Sequence, residues 1–462
     1  MRHTMMGVLA AALTIPSLAA LAGEPPGQAA TPVAPPDGSA QPAQPASAEA
    51  SARPPAEAPS PSATPSASTT PMDPALLAQL QAAAGADEQT VKAQNAGALG
   101  GTQPSAPDQP ELGKGVVGNE TNPAMAFIVD AAGAWFSQDA RIHQEGHTPH
   151  QTGPVLQGAE LAIQAPVDPF FRVFAAVEVA HMELEEAYAT TTSLPLNLQV
   201  RAGKFLSMVG RHNPTHPHQW KFATTPLPNE FLFGGEGMAL PGGELSVLLP
   251  VPWYVEIVGA VQAGEAGSYR TRTEGSGEPT YRDFVYPARL VQFFDLADDW
   301  ALQVGLNTVQ GRSSAGERGA DRTQAYGADL FLKWRPIGQG ATGYTYISTT
   351  VEGWYRTMDV VGGDRWKDAG GYAEITFGID KEWDTGIRGE LWRRLDDLGV
   401  PEERQPFGID ATRGTAQVSF MPSHFSRIRA QYAFEKTELF PDNHIGLLQL
   451  EVAAGAHGAH TY

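Results

Sequence analysis

The sequence contains no cysteine, and beyond its N-terminal segment it has no long apolar run. Without cysteine the mature chain can carry neither a disulfide nor the acylated residue of a lipoprotein anchor. Without a run of about eighteen apolar residues it cannot cross a membrane as helices. Basic residues are scarce as well. Lys and Arg number 31 against 51 Asp and Glu, a formal charge of -20 over 462 residues, which argues against a nucleic-acid partner.

What is present divides into three parts. Arg2 and His3 precede an apolar stretch from Met5 to Leu21 that closes on Ala20-Leu21-Ala22, so 1–22 reads as a cleaved signal peptide. Residues 23–118 are dense in Pro, Ala, Ser and Gly and cannot bury enough apolar surface to fold alone; they are expected to form a disordered periplasmic linker. One short helix is expected within it, where Pro74 follows Asp73 and Leu76, Leu77 and Leu80 share a face. Residues 119–462 alternate between apolar and polar positions and are expected to form the folded body.

The alternation is clearest from Trp253 to Gln262. Trp253, Val255, Ile257, Gly259 and Val261 share one face, and Tyr254, Glu256, Val258, Ala260 and Gln262 the other. Phe127, Val129 and Trp135 oppose Asp130 in the same way, and Tyr326, Leu330 and Trp334 oppose Asp329, Lys333 and Arg335. Tryptophans at strand ends (Trp135, Trp253, Trp300) suit a headgroup girdle. Connections alternate between short turns and longer loops, the latter including Ser137–Gly153, Leu206–Gly235, Gly264–Asp283, Asp359–Ala369 and Leu395–Gly408. An all-β fold is expected, a transmembrane antiparallel β-barrel of about sixteen strands provided the chain reverses within a few residues around His181.

Inward positions carry both signs of charge. Arg172, Glu178, Arg201, Glu256, Lys333, Arg335, Arg356 and Arg388 are the candidate pore-lining residues. A charged interior must be hydrated or paired, so the lumen is a wet pore or a salt-bridged plug, and the width that sixteen strands enclose favours the pore. Leu206–Gly235, the longest connection, is the natural segment to fold inward.

That segment also carries a resemblance. RAGKFLSMVGRHNPTHPHQW (Arg201–Trp220), with its Gly-x-x-Asn-Pro loop, the following FGGEGMALPGGELS and the terminal GAHGAHTY, resembles porin-like outer-membrane proteins related to the phosphate-selective porins. Some members of that group are labelled zinc-regulated TonB-dependent receptors. The resemblance implies a barrel in the bacterial outer membrane. The receptor label implies a larger barrel, of roughly 22 strands around a folded plug domain, than this length supplies.

The expected function is passive diffusion of small hydrophilic solutes or ions, with outer-membrane lipid and a possible homotrimer as partners, no cofactor and no enzymatic activity. An enzyme reading would have to use His181 with Glu183, or His212 with Ser207, and no motif supports either pair. The alternative is a zinc-linked receptor or transporter that binds metal through His212, His216 and His218; His143, His147 and His150 form a second group and His457 with His460 a third.

Overall fold

The computed structural model describes residues 123–138, 146–180, 182–271, 283–317, 319–336 and 345–455. The expected signal peptide 1–22, the linker 23–118 with its short helix, His143, His181, His457 and His460 lie outside the described residues.

Sixteen strands close one antiparallel barrel. The first seven are β1 Ala124–Phe136, β2 Gly153–Pro166, β3 Phe171–Glu178, β4 Glu183–Thr191, β5 Leu198–Leu206, β6 Ala239–Leu248 and β7 Tyr254–Gln262. A small hairpin of β8 Glu265–Ala266 and β9 Tyr269–Arg270 forms a separate two-stranded sheet that packs against the inside of the wall. The wall resumes with β10 Tyr286–Ala297, β11 Trp300–Arg312, β12 Arg322–Trp334, β13 Tyr346–Asp359, β14 Arg365–Gly378, β15 Trp383–Arg394, β16 Ala411–Ser423, β17 Ser426–Thr437 and β18 Asn443–Gly455. Each strand pairs with the next in the wall, and β1 pairs with β18 to close it. Among the described residues no helix is long and apolar enough to cross a membrane; the strands do so.

Closure follows from the alternation. A bilayer cannot satisfy a free strand edge, and a closed barrel has none. In β15, Ile387 and Leu391 point out while Arg388 and Glu390 are buried inside; in β18, Leu448, Leu450 and Val452 point out while Gln449 and Glu451 are buried. The girdle lies on the lipid face, with Trp135 52% and Trp253 46% exposed and Trp300 and Trp334 paired at 6.3 Å between ring centroids.

One detail departs from the sequence reading. The connection expected over Asp359–Ala369 is only Val360–Asp364, because Gly362 and Gly363 adopt positive φ (90° and 95°) and reverse the chain at once. β14 therefore starts early, and Trp366 and Asp368 join the interior. The reversal between β3 and β4 is tight, as sixteen strands require, and these two strands are short, so the wall is low there.

Placing a charge on the outer face separates a membrane barrel from a soluble one. Leu448→Arg, at mid-strand, is expected to cost about 2–4 kcal/mol in reversible unfolding from lipid vesicles. An unchanged denaturation midpoint would contradict the lipid-facing assignment.

Candidate functional site

The interior is organised around residues 207–238, which join β5 to β6 and form the third connection on the long-loop side. About two thirds of this segment is buried. It descends along the wall, turns near Trp220 and returns through a short helix, α1 (Leu227–Phe233), all of whose residues are buried. Pro226 caps the helix in extended geometry, Pro228 lies in its first turn and Gly234 ends it at φ 85°.

The Gly-x-x-Asn-Pro stretch accounts for the inward bend. Gly210 has φ +64°, and a Cβ there would lie 2.5 Å from Glu352 Oε1. Its amide donates to Asn307 Oδ1 (2.9 Å). Asn213 ties the neck of the loop, donating from Nδ2 to the Ser207 carbonyl (2.8 Å) and accepting from the Met238 amide (2.8 Å).

Further in, the wall supplies the partners that an irregular backbone lacks. Arg388 Nη2 donates to the Thr224 carbonyl (2.9 Å), Arg413 Nη2 to Thr225 (2.5 Å), Arg429 Nη2 to Trp220 (2.7 Å), Arg427 Nη2 to His218 (3.0 Å) and Arg356 Nη1 to Phe231 (3.0 Å). Carboxylates take the amides: Glu390 accepts from Leu227 (2.7 Å), and Glu352 from Arg211 (2.7 Å) and the Asn229 side chain (3.0 Å). The same ions pair with one another, Arg413 with Glu390 at 2.7 Å and Arg356 with Asp368 at 2.5 Å. Arg356, Arg388, Arg413, Arg427 and Glu390 are both paired and hydrogen-bonded, the condition under which burial is tolerated, while Glu352 and Arg429 are held by hydrogen bonds.

Above this polar layer lies an apolar one. Leu227, Phe231, Leu232 and Phe233 pack with Trp354, Trp392, Tyr269, Val309 and Ile409. Phe231 meets Trp392 edge-on at 5.9 Å and Phe233 meets Trp354 at 5.5 Å. Each fully buried side chain contributes about 1.5–3 kcal/mol. Trp354 and Trp392 escaped the sequence reading, although they share strand parity with Glu352 and Arg356, and with Arg388 and Glu390.

The candidate lining residues therefore separate. Arg356 and Arg388 face inward but hold the inserted segment instead of bordering open water. Arg201 is buried against Glu244 (2.8 Å) and stacks over Phe205, and Glu178 is buried on the Ala159 amide (2.7 Å). Arg335 lies beyond the end of β12 and is exposed. Arg172, Glu256 and Lys333 remain half-buried near the short-turn mouth. Glu256 accepts from the Tyr254 hydroxyl (2.6 Å), and Lys333 Nζ lies 6.0 Å from the Tyr346 ring centroid. Of the two lumen alternatives, the salt-bridged filling describes the middle of the barrel.

The histidines separate too. His212 stacks on Trp220 at 4.6 Å with its Nε2 buried and unbonded; burial, with Arg388 adding to it, pushes its pKa down to about 3, so it is neutral. The Ser207 hydroxyl is bonded to the Gln262 side chain and the Met238 carbonyl, not to His212. His216 lines the same cavity as His212 but turns to the low wall. Its Nε2 is 2.9 Å from Glu186 Oε2, and its Nδ1 is 3.3 Å from Glu160 Oε2 and 3.5 Å from Glu185 Oε2. His218 Nδ1 lies 3.6 Å from Glu160, and His147 Nε2 lies 3.2 Å from Glu236. Burial opposes charge on His216, but Glu160, supported by Glu185 and Glu186, holds its pKa well above the ordinary value. The group borders a cavity of about 220 Å³ that is also lined by Glu183, Lys204 and Glu236. Of the set His212, His216 and His218, only His216 falls in the close group with Glu160 and Glu185, while His212 lines the same cavity.

A bulge brings Glu185 into the group. Register shifts between Ala176 and Val177, which pair with Glu186 and Leu184, so Glu185 is an extra residue in β4. Two successive carboxylates thereby reach the inside, which strict alternation forbids.

A closed barrel with an apolar outer wall, a charged interior and one loop drawn into its bore is a β-barrel of the outer membrane, and that is the class of this protein. The chain belongs to the same family as a protein of Aquifex aeolicus (strain VF5) described as uncharacterized, 30% identical over 351 residues that cover 69% of this chain and 72% of the relative. No protein-family model matches it. Solved barrels similar in outline include the outer membrane channel DcaP of Acinetobacter baumannii (TM-score 0.48, 10% identity, 72% and 97% of the two chains) and an anion-selective porin from Comamonas acidovorans (0.45, 11%, 72% and 99%).

Removing one wall arginine should release the segment locally. Arg388→Met leaves Glu390 and the Thr224 carbonyl short of a donor, at a cost of about 3–5 kcal/mol. Hydrogen exchange across 220–230 is expected to accelerate strongly while exchange in the wall strands is retained; unchanged protection would show that the guanidinium does not hold the loop.

Proposed function

We propose that the barrel is a narrow diffusion channel for small hydrophilic solutes or ions, with residues 207–238 setting the size limit. The observation that carries this reading is the inserted loop pinned across a charged bore, with half-buried Arg172, Glu256 and Lys333 left at the short-turn mouth. A sixteen-strand wall is wide enough for an aqueous channel, and the insert, with the β8–β9 hairpin packed beside it, narrows it. Phosphate is not singled out as solute, because Arg356, Arg388, Arg413, Arg427 and Arg429 are occupied by loop carbonyls and carboxylates and form no open ladder. The zinc-linked receptor reading draws no support from the relative, whose description names no cargo. The bonding of Ser207 and the stacking of His212 favour a channel over an enzyme. The reading extends to a homotrimer in outer-membrane lipid, by analogy with barrels of this size.

Planar-bilayer recording tests it. The intact protein is expected to show small unitary steps, and a variant lacking 211–233 steps several times larger. Lys333→Glu should shift the reversal potential in a salt gradient toward cations. Absence of conductance in both the intact and the loop-deleted protein would overturn the channel.

A further inference from the structure

The cluster at the low wall is not used by diffusion, and its geometry suits another purpose. One donor atom each from Glu160, Glu185 and His216 lies within 4.8 Å of the others. The 3.3 and 3.5 Å separations from His216 Nδ1 are long for hydrogen bonds but close to the edge of a coordination tetrahedron, about 3.3–3.4 Å for ligand bonds near 2.0–2.1 Å. The second ring nitrogen is held by Glu186 at 2.9 Å, so Nδ1 is aimed at the two remaining carboxylates. A carboxylate that fixes the far nitrogen of a ligating imidazole is a recurrent support for bound metal. Glu185 Oε2 is buried and accepts no hydrogen bond. Three carboxylates converge on one imidazole, and a divalent cation that takes the place of the proton on Nδ1 would offset their negative charge.

We propose that Glu160, Glu185 and His216, with His218 beside them, bind a divalent transition-metal cation of the zinc class at the long-loop mouth. Imidazole with carboxylate donors suits zinc better than magnesium or calcium, which prefer oxygen alone. Glu186 is a positioning residue. The cavity gives access, and Glu183, Glu236 and Glu265 on its lining attract cations. His216 belongs to the inserted loop while Glu160 and Glu185 belong to β2 and β4, so a bound ion ties the loop to the wall.

The test is calorimetric zinc titration of the full chain folded in detergent micelles, with cobalt absorption as a second readout of the ligand set. Wild type is expected to bind one ion tightly. Glu185→Gln should weaken that event at least about tenfold and abolish the cobalt spectrum. His212→Gln, outside the cluster, should bind within twofold of wild type. Circular dichroism and the mobility of unheated protein on gels verify folding. Glu185 Oε2 accepts no hydrogen bond and Glu185→Gln keeps the size of the side chain, so this variant remains informative if His216→Ala fails to fold. Wild type without saturable binding, or folded Glu185→Gln with unchanged affinity, would overturn the site. The outcome is independent of conductance, so the metal site and the channel can fail separately.

Discussion

The interior depends on guanidinium groups donating to backbone carbonyls. A loop of this length inside a barrel has few backbone partners of its own, and every unpaired group there costs about as much as a lost hydrogen bond. Arg356, Arg388, Arg413, Arg427 and Arg429 meet that demand from one arc of the wall, β13 to β17. Arginine suits the task because its fork of donors reaches a carbonyl and a carboxylate together. Arg413, on Thr225 and Glu390 at once, does both.

The opposite arc, β2 to β6, has a different character. Carboxylates dominate it, and Glu160, Glu185 and Glu186 converge on His216. The inserted loop thus runs between a basic side that grips its backbone and an acidic side that grips one imidazole. Charge separated across a bore in this way orients a dipolar solute, provided the loop leaves it a path.

The wall was legible in the sequence because lipid and lumen impose period two on every strand. Asp130 against Phe127, Arg388 against Ile387 and Gln262 against Val261 each give the facing directly. Loop length alone indicated which connection turns inward. The anchoring pairs were not legible. Leu227 with Glu390 and Thr225 with Arg413 join positions 163 and 188 residues apart, and alternation says which way a side chain points but not what it meets. The glutamate cluster was hidden for another reason. The bulge at Glu185 breaks the parity from which inward residues are inferred, whereas Trp354 and Trp392 share the parity of the charged inward positions beside them.

The seam between β1 and β18 has a consequence for assembly. The loop that fills the bore precedes most of the strands that hold it, and the arginines that grip its backbone lie on β13 to β17. Contacts so distant along the chain form late and slowly. The barrel therefore cannot acquire its filling before its final strands are in place, and a chain stalled short of the seam would present an ungripped loop and an open strand edge together.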